Sequence, residues 1–206
     1  RNMVVGVLPD RTLWLHSVIA LDEKTMEELE QLGRPSVMVV PNPIHRLDAK
    51  VYKNRFPDLQ VVCPAAARAK VEQVLKVDAT CEEALGKYGI ECQAPDGLKP
   101  FELVYLFPTP GGPVLVVTDA LMNLPNLPGW RGRVMAWIGS TGFFGITRIG
   151  KLLLMKDGKK FEQWLLALSS TPRLQAIVVA HGAVIKENPH EHLRRAARRL
   201  ARVPGV

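Results

Sequence analysis

At 206 residues and 47% hydrophobic content, the chain can bury a substantial core as one domain or two small ones. Three scattered cysteines (Cys63, Cys81 and Cys92) without CxxC spacing argue against a disulfide framework, and the lack of an apolar run of about 18 residues excludes a spanning helix. A net charge of +7 and a pI of about 9.5 permit anionic partners without demanding them, while no visible signal peptide and an odd cysteine count point to a reduced, cytoplasmic setting.

Met3–Leu8 and Thr12–His16 flank Pro9-Asp10-Arg11, which predicts a hairpin. Asp22 opens a helix to about Gln31, with an acidic first turn and Gly33 as the stop. Val37–Val40 is a β-rich run without a polar face, so it predicts a buried strand. Pro41-Asn42-Pro43 ends it, because proline cannot donate to a ladder. Leu47–Phe56 reads as a helix with Leu47, Val51 and Phe56 inward. A strand at Leu59–Val62 and a helix at Ala65–Leu75 follow.

Thr80 and Glu83 have capping-box spacing for a short helix to Lys87. Gly89–Gln93, Phe101–Phe107 and Val114–Val117 predict strands, the last two separated by a rigid loop at 108–113. Residues 121–129 read as a loop, and the Gly/Trp-rich stretch at about 124–150 as a loop-plus-helix insertion in a single domain. Lys159–Leu168 is helical and Leu174–Val179 extended. Asn188 caps a last helix, with Pro189 at its first position, running to about Arg202. No repeat of 20–50 residues occurs. The order of elements fits a layered sheet sandwich with outer helices, or a simpler three-layer α/β fold.

Three strand ends carry the polar residues of interest. Val37–Val40 leads to His45 and Asp48, Val114–Val117 to Asp119, and Ile177–Ala180 to His181. Residues just past the carboxyl ends of buried strands sit where layered α/β folds place their sites. Asp119 can bridge a metal or act as a base, or cap a turn. His181 beside Gly182 suits a metal or a proton transfer, or a hydrogen bond at a strand end. His45 and Asp48 share a face if the helix has begun and could supply two ligands; alternatively Asp48 caps that helix. His16-Ser17 ends an early strand, where a satisfied core histidine is the simpler reading. His190 and His192 are expected to be solvated.

Arg194, Arg195, Arg198, Arg199 and Arg202 form one broad helical face. Without interleaved aromatics this is a solvated or packing face rather than a nucleic-acid footprint, although those arginines remain the place where nucleic acid would bind. GxGxxG, Walker, HExxH and GxSxG motifs are all missing.

LWLHS at Leu13–Ser17, VVPNPIH at Val39–His45, VVCPAAA at Val61–Ala67, VVTDALMN at Val116–Asn123 and VVAHG at Val178–Gly182 occur in an order that resembles the metallo-β-lactamase-like hydrolases, in a divergent branch of that superfamily. The resemblance spans almost the whole chain. It implies an α/β fold, an αββα sandwich of two mixed β-sheets flanked by helices, with a metal site at one sheet edge. Asp119 matches the metal-bridging aspartate and His181 the terminal histidine. The H-x-H-x-D-H ligand motif, aligned without a gap, falls on Asn42, Ile44, Arg46 and Leu47; one inserted residue lets His45 and Asp48 stand for two ligands. Phe107 occupies a further histidine position.

The resemblance therefore implies a reduced centre, with His45, Asp48, Asp119 and His181 holding one Zn²⁺ or Fe²⁺ ion and Asp119 and His181 in the catalytic positions. The expected activity is hydrolysis of an ester, amide or phosphoester small molecule. The alternative is a metal-free, non-catalytic binding protein that acts through residues 128–150, for which a homodimer is one expected form. No membrane partner is expected.

Overall fold

A computed structural model describes residues 1–126, 128–137 and 139–201. The chain forms two compact units. An N-terminal unit comprises Asn2–Cys92 with Phe101–Leu103, and a C-terminal unit comprises Arg1, Gln93–Pro100 and Val104–Val206.

In the N-terminal unit, β1 (Val4–Val7) and β2 (Leu13–His16) form the expected antiparallel hairpin, with Val4 opposite His16. Helix α1 (Glu23–Leu32) starts where Asp22 accepts a hydrogen bond from the Thr25 amide at 2.9 Å. Strand β3 (Pro35–Val39) lies parallel to β2, and helix α2 (Ala49–Arg55) follows. The inward face of α2 differs from the expectation. It begins two residues later than the sequence pattern suggests, and Ala49 and Tyr52 are buried while Leu47 and Val51 are exposed. Phe56 does pack on the core.

Strand β4 (Gln60–Cys63) pairs parallel with β3. The helix expected over 65–75 is broken into a 3₁₀ turn at Ala65–Ala67 and a single α-turn, α3 (Arg68–Val71). It stops because the Val71 carbonyl takes both the Val74 and Leu75 amides, tightening the chain into a turn. The short β5 (Ala79–Thr80) completes a mixed sheet in the order β1-β2-β3-β4-β5. Helix α4 (Cys81–Ala84) carries both halves of the predicted Thr80/Glu83 capping box. Leu13, Leu15, Met38, Val61 and Tyr52 fill the core on one side of this sheet. Each such aliphatic side chain, fully buried, contributes about 1.5–3 kcal/mol.

Strand β6 (Glu91–Gln93) lies at the passage between the units. The C-terminal unit holds β7 (Val104–Phe107), β8 (Val114–Val117) and, later in the chain, β11 (Ala176–Val179), with β8 antiparallel to β7 and parallel to β11. Between β8 and β11 the expected loop at 121–129 contains a strand, β9 (Met122–Leu124). Helix α5 (Gly129–Trp137) separates it from its antiparallel partner β10 (Phe143–Gly145). Helices α6 (Arg148–Leu154) and α7 (Gly158–Leu168) follow. The Asp157 carboxylate starts α7 by accepting the Lys159 and Lys160 amides at 3.0 Å each. The chain closes with α8 (Pro189–Ala201), which packs on α7. Leu115, Val117, Phe161, Leu165, Ile177 and Leu193 form the centre of this unit's core. Among the described residues no helix is long and apolar enough to cross a membrane.

Candidate functional site

The C-terminal unit brings two polar residues together through strand register. Val117 of β8 lies opposite Val179 of β11 in a parallel pair, and the Ala180 amide donates to the Val117 carbonyl at 2.9 Å. Asp119 and His181 each lie two residues beyond that matched pair. They therefore emerge side by side, and His181 Nε2 sits 3.1 Å from Asp119 Oδ1. Both side chains are partly exposed, at 28% and 13%, so solvent and small ions reach them.

Gly182 makes the turn after His181 possible. Its φ is +115°, and a Cβ there would lie 2.0 Å from the Asn123 carbonyl oxygen. Asn123 of β9 clamps this turn. Its amide donates to the His181 carbonyl at 2.9 Å, its carbonyl accepts from the Ala183 amide at 3.0 Å, and its side chain donates to the Ala183 carbonyl at 2.8 Å. The VVTDALMN segment thus supplies a carboxylate and the brace for the histidine beside it.

The N-terminal unit places a second polar group at the carboxyl ends of its parallel strands. Ser17, just past β2, is fully buried with φ +55° and donates its amide to the Val39 carbonyl. A left-handed conformation at a non-glycine residue costs about 1–3 kcal/mol and tends to cluster at functional positions. Ser17 Oγ and His45 Nδ1 are hydrogen-bonded at 2.7 Å. Asn42 presents His45. Its Oδ1 accepts the amides of Ile44 at 2.9 Å and His45 at 3.0 Å, an Asx turn immediately after Pro41. The Asn42 amide in turn reaches Glu102 Oε2 at 3.4 Å, and both residues are buried.

In the ligand motif Asn42 stands at a lost ligand position. Its bracing role was written in the Asn-Pro-Ile-His order, an Asx-turn signature. Arg46, at another lost ligand position, directs its guanidinium to the Lys70 carbonyl and to Gln73 Oε1, 3.0 Å away for the latter. Asp48 stands at the head of α2 but makes no capping bond with its side chain. Burial, then the nearby Asp48 carboxylate, pushes the Tyr52 phenol up to about 12.

His16 is a core histidine, as expected, stacked on Trp14 with ring centroids 5.5 Å apart. Burial, then the neighbouring His45, lowers its pKa from 6.5 to about 3. The unfolded chain takes up this proton near pH 6.5, whereas the folded chain does so only near pH 3. Stability from this group is therefore complete above about pH 6.5 and declines as acid is added. Denaturant unfolding is expected to show a loss of about 2 kcal/mol between pH 6.5 and pH 5 that is absent in His16→Phe. A wild-type stability that is flat over this range, or a slope that persists in the variant, would contradict it.

Other candidate groups have structural roles. Burial raises the Cys63 thiol to about 11 and Cys92 to about 12, so neither is poised as a nucleophile. His190 and His192 are partly buried rather than solvated: His190 Nδ1 bonds the Ser169 carbonyl at 2.9 Å, and His192 meets the Phe144 ring edge-on. Arg194, Arg195 and Arg198 converge on the single carboxylate of Glu191 at 3.6, 3.2 and 3.7 Å. Arg199 instead lies over the Phe143 ring, 3.8 Å from its centroid. Arg202 lies outside the described residues.

The donor chemistry of the Asp119–His181 pair fits a metal ion. Ligand bonds of about 2.0–2.2 Å in tetrahedral geometry put neighbouring donor atoms roughly 3.3–3.5 Å apart, close to the observed 3.1 Å.

No protein-family model matches the sequence, and no curated protein matches it. Solved structures do match. The DIM-1 metallo-β-lactamase aligns over 96% of this chain and 86% of its own with a TM-score of 0.60 and 14% identity. A metallo-β-lactamase from Erythrobacter litoralis aligns over 95% and 83% with a TM-score of 0.61 and 12% identity. The metallo-β-lactamase FIM-1 from Pseudomonas aeruginosa, in its mono-zinc form, aligns over 98% and 91% with a TM-score of 0.58 and 11% identity. With two mixed sheets flanked by helices and matches that run over nearly its whole length, the chain has the metallo-β-lactamase fold, far diverged in sequence.

Proposed function

We propose that the protein is a hydrolase with a reduced, single-metal centre. Asp119 and His181 are the principal ligands, His45 is the third, and Asp48 is the further carboxylate that the ligand motif suggests. The observation that carries the reading is the 3.1 Å pairing of Asp119 and His181 at the carboxyl ends of adjacent parallel strands. Two imidazoles and a carboxylate form a donor set that zinc and iron accept. FIM-1, one of the matching structures, is described in a mono-zinc form.

A divalent cation would supply Lewis-acid polarisation and make a water acidic near neutral pH. The chain's own residues would prepare for it. With its Nδ1 engaged by Ser17 Oγ, His45 would present Nε2 to the ion, the usual arrangement by which an outer hydrogen bond orients a ligand. Asn123 and Gly182 hold the His181 backbone, and the partly exposed carboxylate of Asp119 can accept a proton during turnover. The substrate class is a small ester, amide or phosphoester.

Metal analysis of protein purified without chelator tests this. About one equivalent of zinc or iron, or uptake of one equivalent on addition, is expected. Less than about 0.2 equivalent with no uptake on addition would overturn it. A second reading, a metal-free binding protein acting through residues 128–150, draws on the exposed side chains of Trp130, Val134 and Trp137, and under it the titration stays flat.

A further inference from the structure

Helices α5 and α6 turn the usual rule of burial outward. Along α5, Trp130, Val134 and Trp137 recur at i, i+4 and i+7, the spacing that normally marks the buried stripe. All three are exposed, Trp137 at 79%. Along α6, Ile149, Leu152 and Leu153 form the same kind of stripe, and Leu152 is 82% exposed. The helices meet where Arg148 Nη1 donates to the Trp137 carbonyl at 3.4 Å. Two exposed apolar faces are therefore carried by helices that touch.

The charge that this stretch of sequence carries has one sign. From Ala120 to Lys156 the sequence contains Arg131, Arg133, Arg148, Lys151 and Lys156 and no aspartate or glutamate. A cavity of about 220 Å³ is lined by Trp137, Phe143 and Ile146 together with Arg148, Lys151 and Arg199. Among the described residues no carboxylate pairs with any of these three cations. Burial, then Arg199 and Arg148, lowers the Lys151 pKa, as expected of a cation among cations. Such a cluster is relieved by an anion brought from outside.

We propose that α5, α6 and the adjoining cationic cavity dock the protein on the surface of an anionic lipid bilayer. Trp and Leu side chains on one helical face with Lys and Arg alongside are the composition that lies in a bilayer interface, with tryptophan at headgroup depth. Arg148, Lys151 and Arg199 would meet the lipid phosphates, while Trp137, Leu152 and Leu153 enter the acyl boundary. A second copy of the chain is the poorer occupant. A two-fold contact would set this patch against itself and bring the same cations face to face. The association is with the surface and needs no spanning helix.

Co-sedimentation of the full chain with phosphatidylcholine vesicles, with and without phosphatidylglycerol, tests the proposal, with tryptophan emission as a second readout. Binding to the anionic vesicles with a blue-shifted emission is expected, weakened by salt. The Arg148→Glu/Lys151→Glu double variant should bind at least about tenfold more weakly, given roughly fivefold per basic residue at such a surface. Leu152→Ser should also weaken binding. Because that side chain is almost wholly solvent-exposed, its loss leaves the fold intact, which far-UV circular dichroism verifies. No binding at low salt, equal binding to neutral and anionic vesicles, or a dimer that Leu152→Ser dissociates would overturn the proposal.

Discussion

Zinc affinity is expected to fall by more than about 100-fold in both Asp119→Ala and His181→Ala, with little change in the stability of the metal-free protein. The two side chains face each other at 3.1 Å, both partly exposed, so truncation removes donor atoms without opening a core cavity. His45→Ala is expected to weaken zinc to a similar degree. Ser17→Ala, which deletes only the hydroxyl bonded to His45 Nδ1, should cost about 10–100-fold.

Asp48→Ala separates two roles for that residue. A large affinity loss makes it a ligand, and an unchanged affinity makes it a residue of the α2 terminus alone. Competition with a chelating dye gives all five affinities on one scale. If Asp119→Ala and His181→Ala bind zinc as the wild type does, the metal resides elsewhere and the proposed chemistry fails.

Gly182→Ala is expected to be the most damaging single methyl in this region. The added Cβ would lie 2.0 Å from the Asn123 carbonyl oxygen and 2.8 Å from the Leu124 amide nitrogen, at a φ of +115° that L side chains rarely adopt. Backbone occupies the space, so no rotamer change relieves the overlap. Relaxation must move β9 or the turn, and with it the clamp on His181. A loss of about 3–5 kcal/mol is expected, read as a fall of roughly 10 °C in thermal midpoint for a chain of this size. Gly86→Ala is the control, because its Cβ meets nothing within 4 Å. It should leave the stability within about 1 kcal/mol of wild type. Equal effects at the two positions would show that the turn is not held as described.

Both predictions depend on β9, which the sequence conceals. Met122–Leu124 sits between Ala120 and Pro125 in a stretch of mixed loop character, and its partner β10 lies beyond an entire helix. A three-residue strand has too few positions to show alternation, so only the pairing reveals it. The inward face of α2 was misplaced for a related reason. Leu47 and Val51 suit a buried stripe, but Leu47 lies before the helix, and the face that packs inward carries Ala49 and Tyr52. The bracing role of Asn42 and the burial of Glu102 likewise depend on a contact between residues sixty positions apart.

Local chemistry was legible where it is self-contained. Asp22 and the Thr80/Glu83 box act within one helical turn, so their spacing alone identifies them. Val114–Val117 and Ile177–Val179 announce buried strands because a run with no polar face has nowhere else to go. Polar residues directly behind such runs also advertise a sheet end, which is how Asp119 and His181 stand out. What the amino-acid order could not determine is that Val117 pairs with Val179 rather than with a neighbour one step away. A slip of a single residue would reverse which way the side chains point and separate the carboxylate from the imidazole. That register follows from packing both strands into a shared core around Leu115 and Ile177, a property of the folded unit that no local stretch contains.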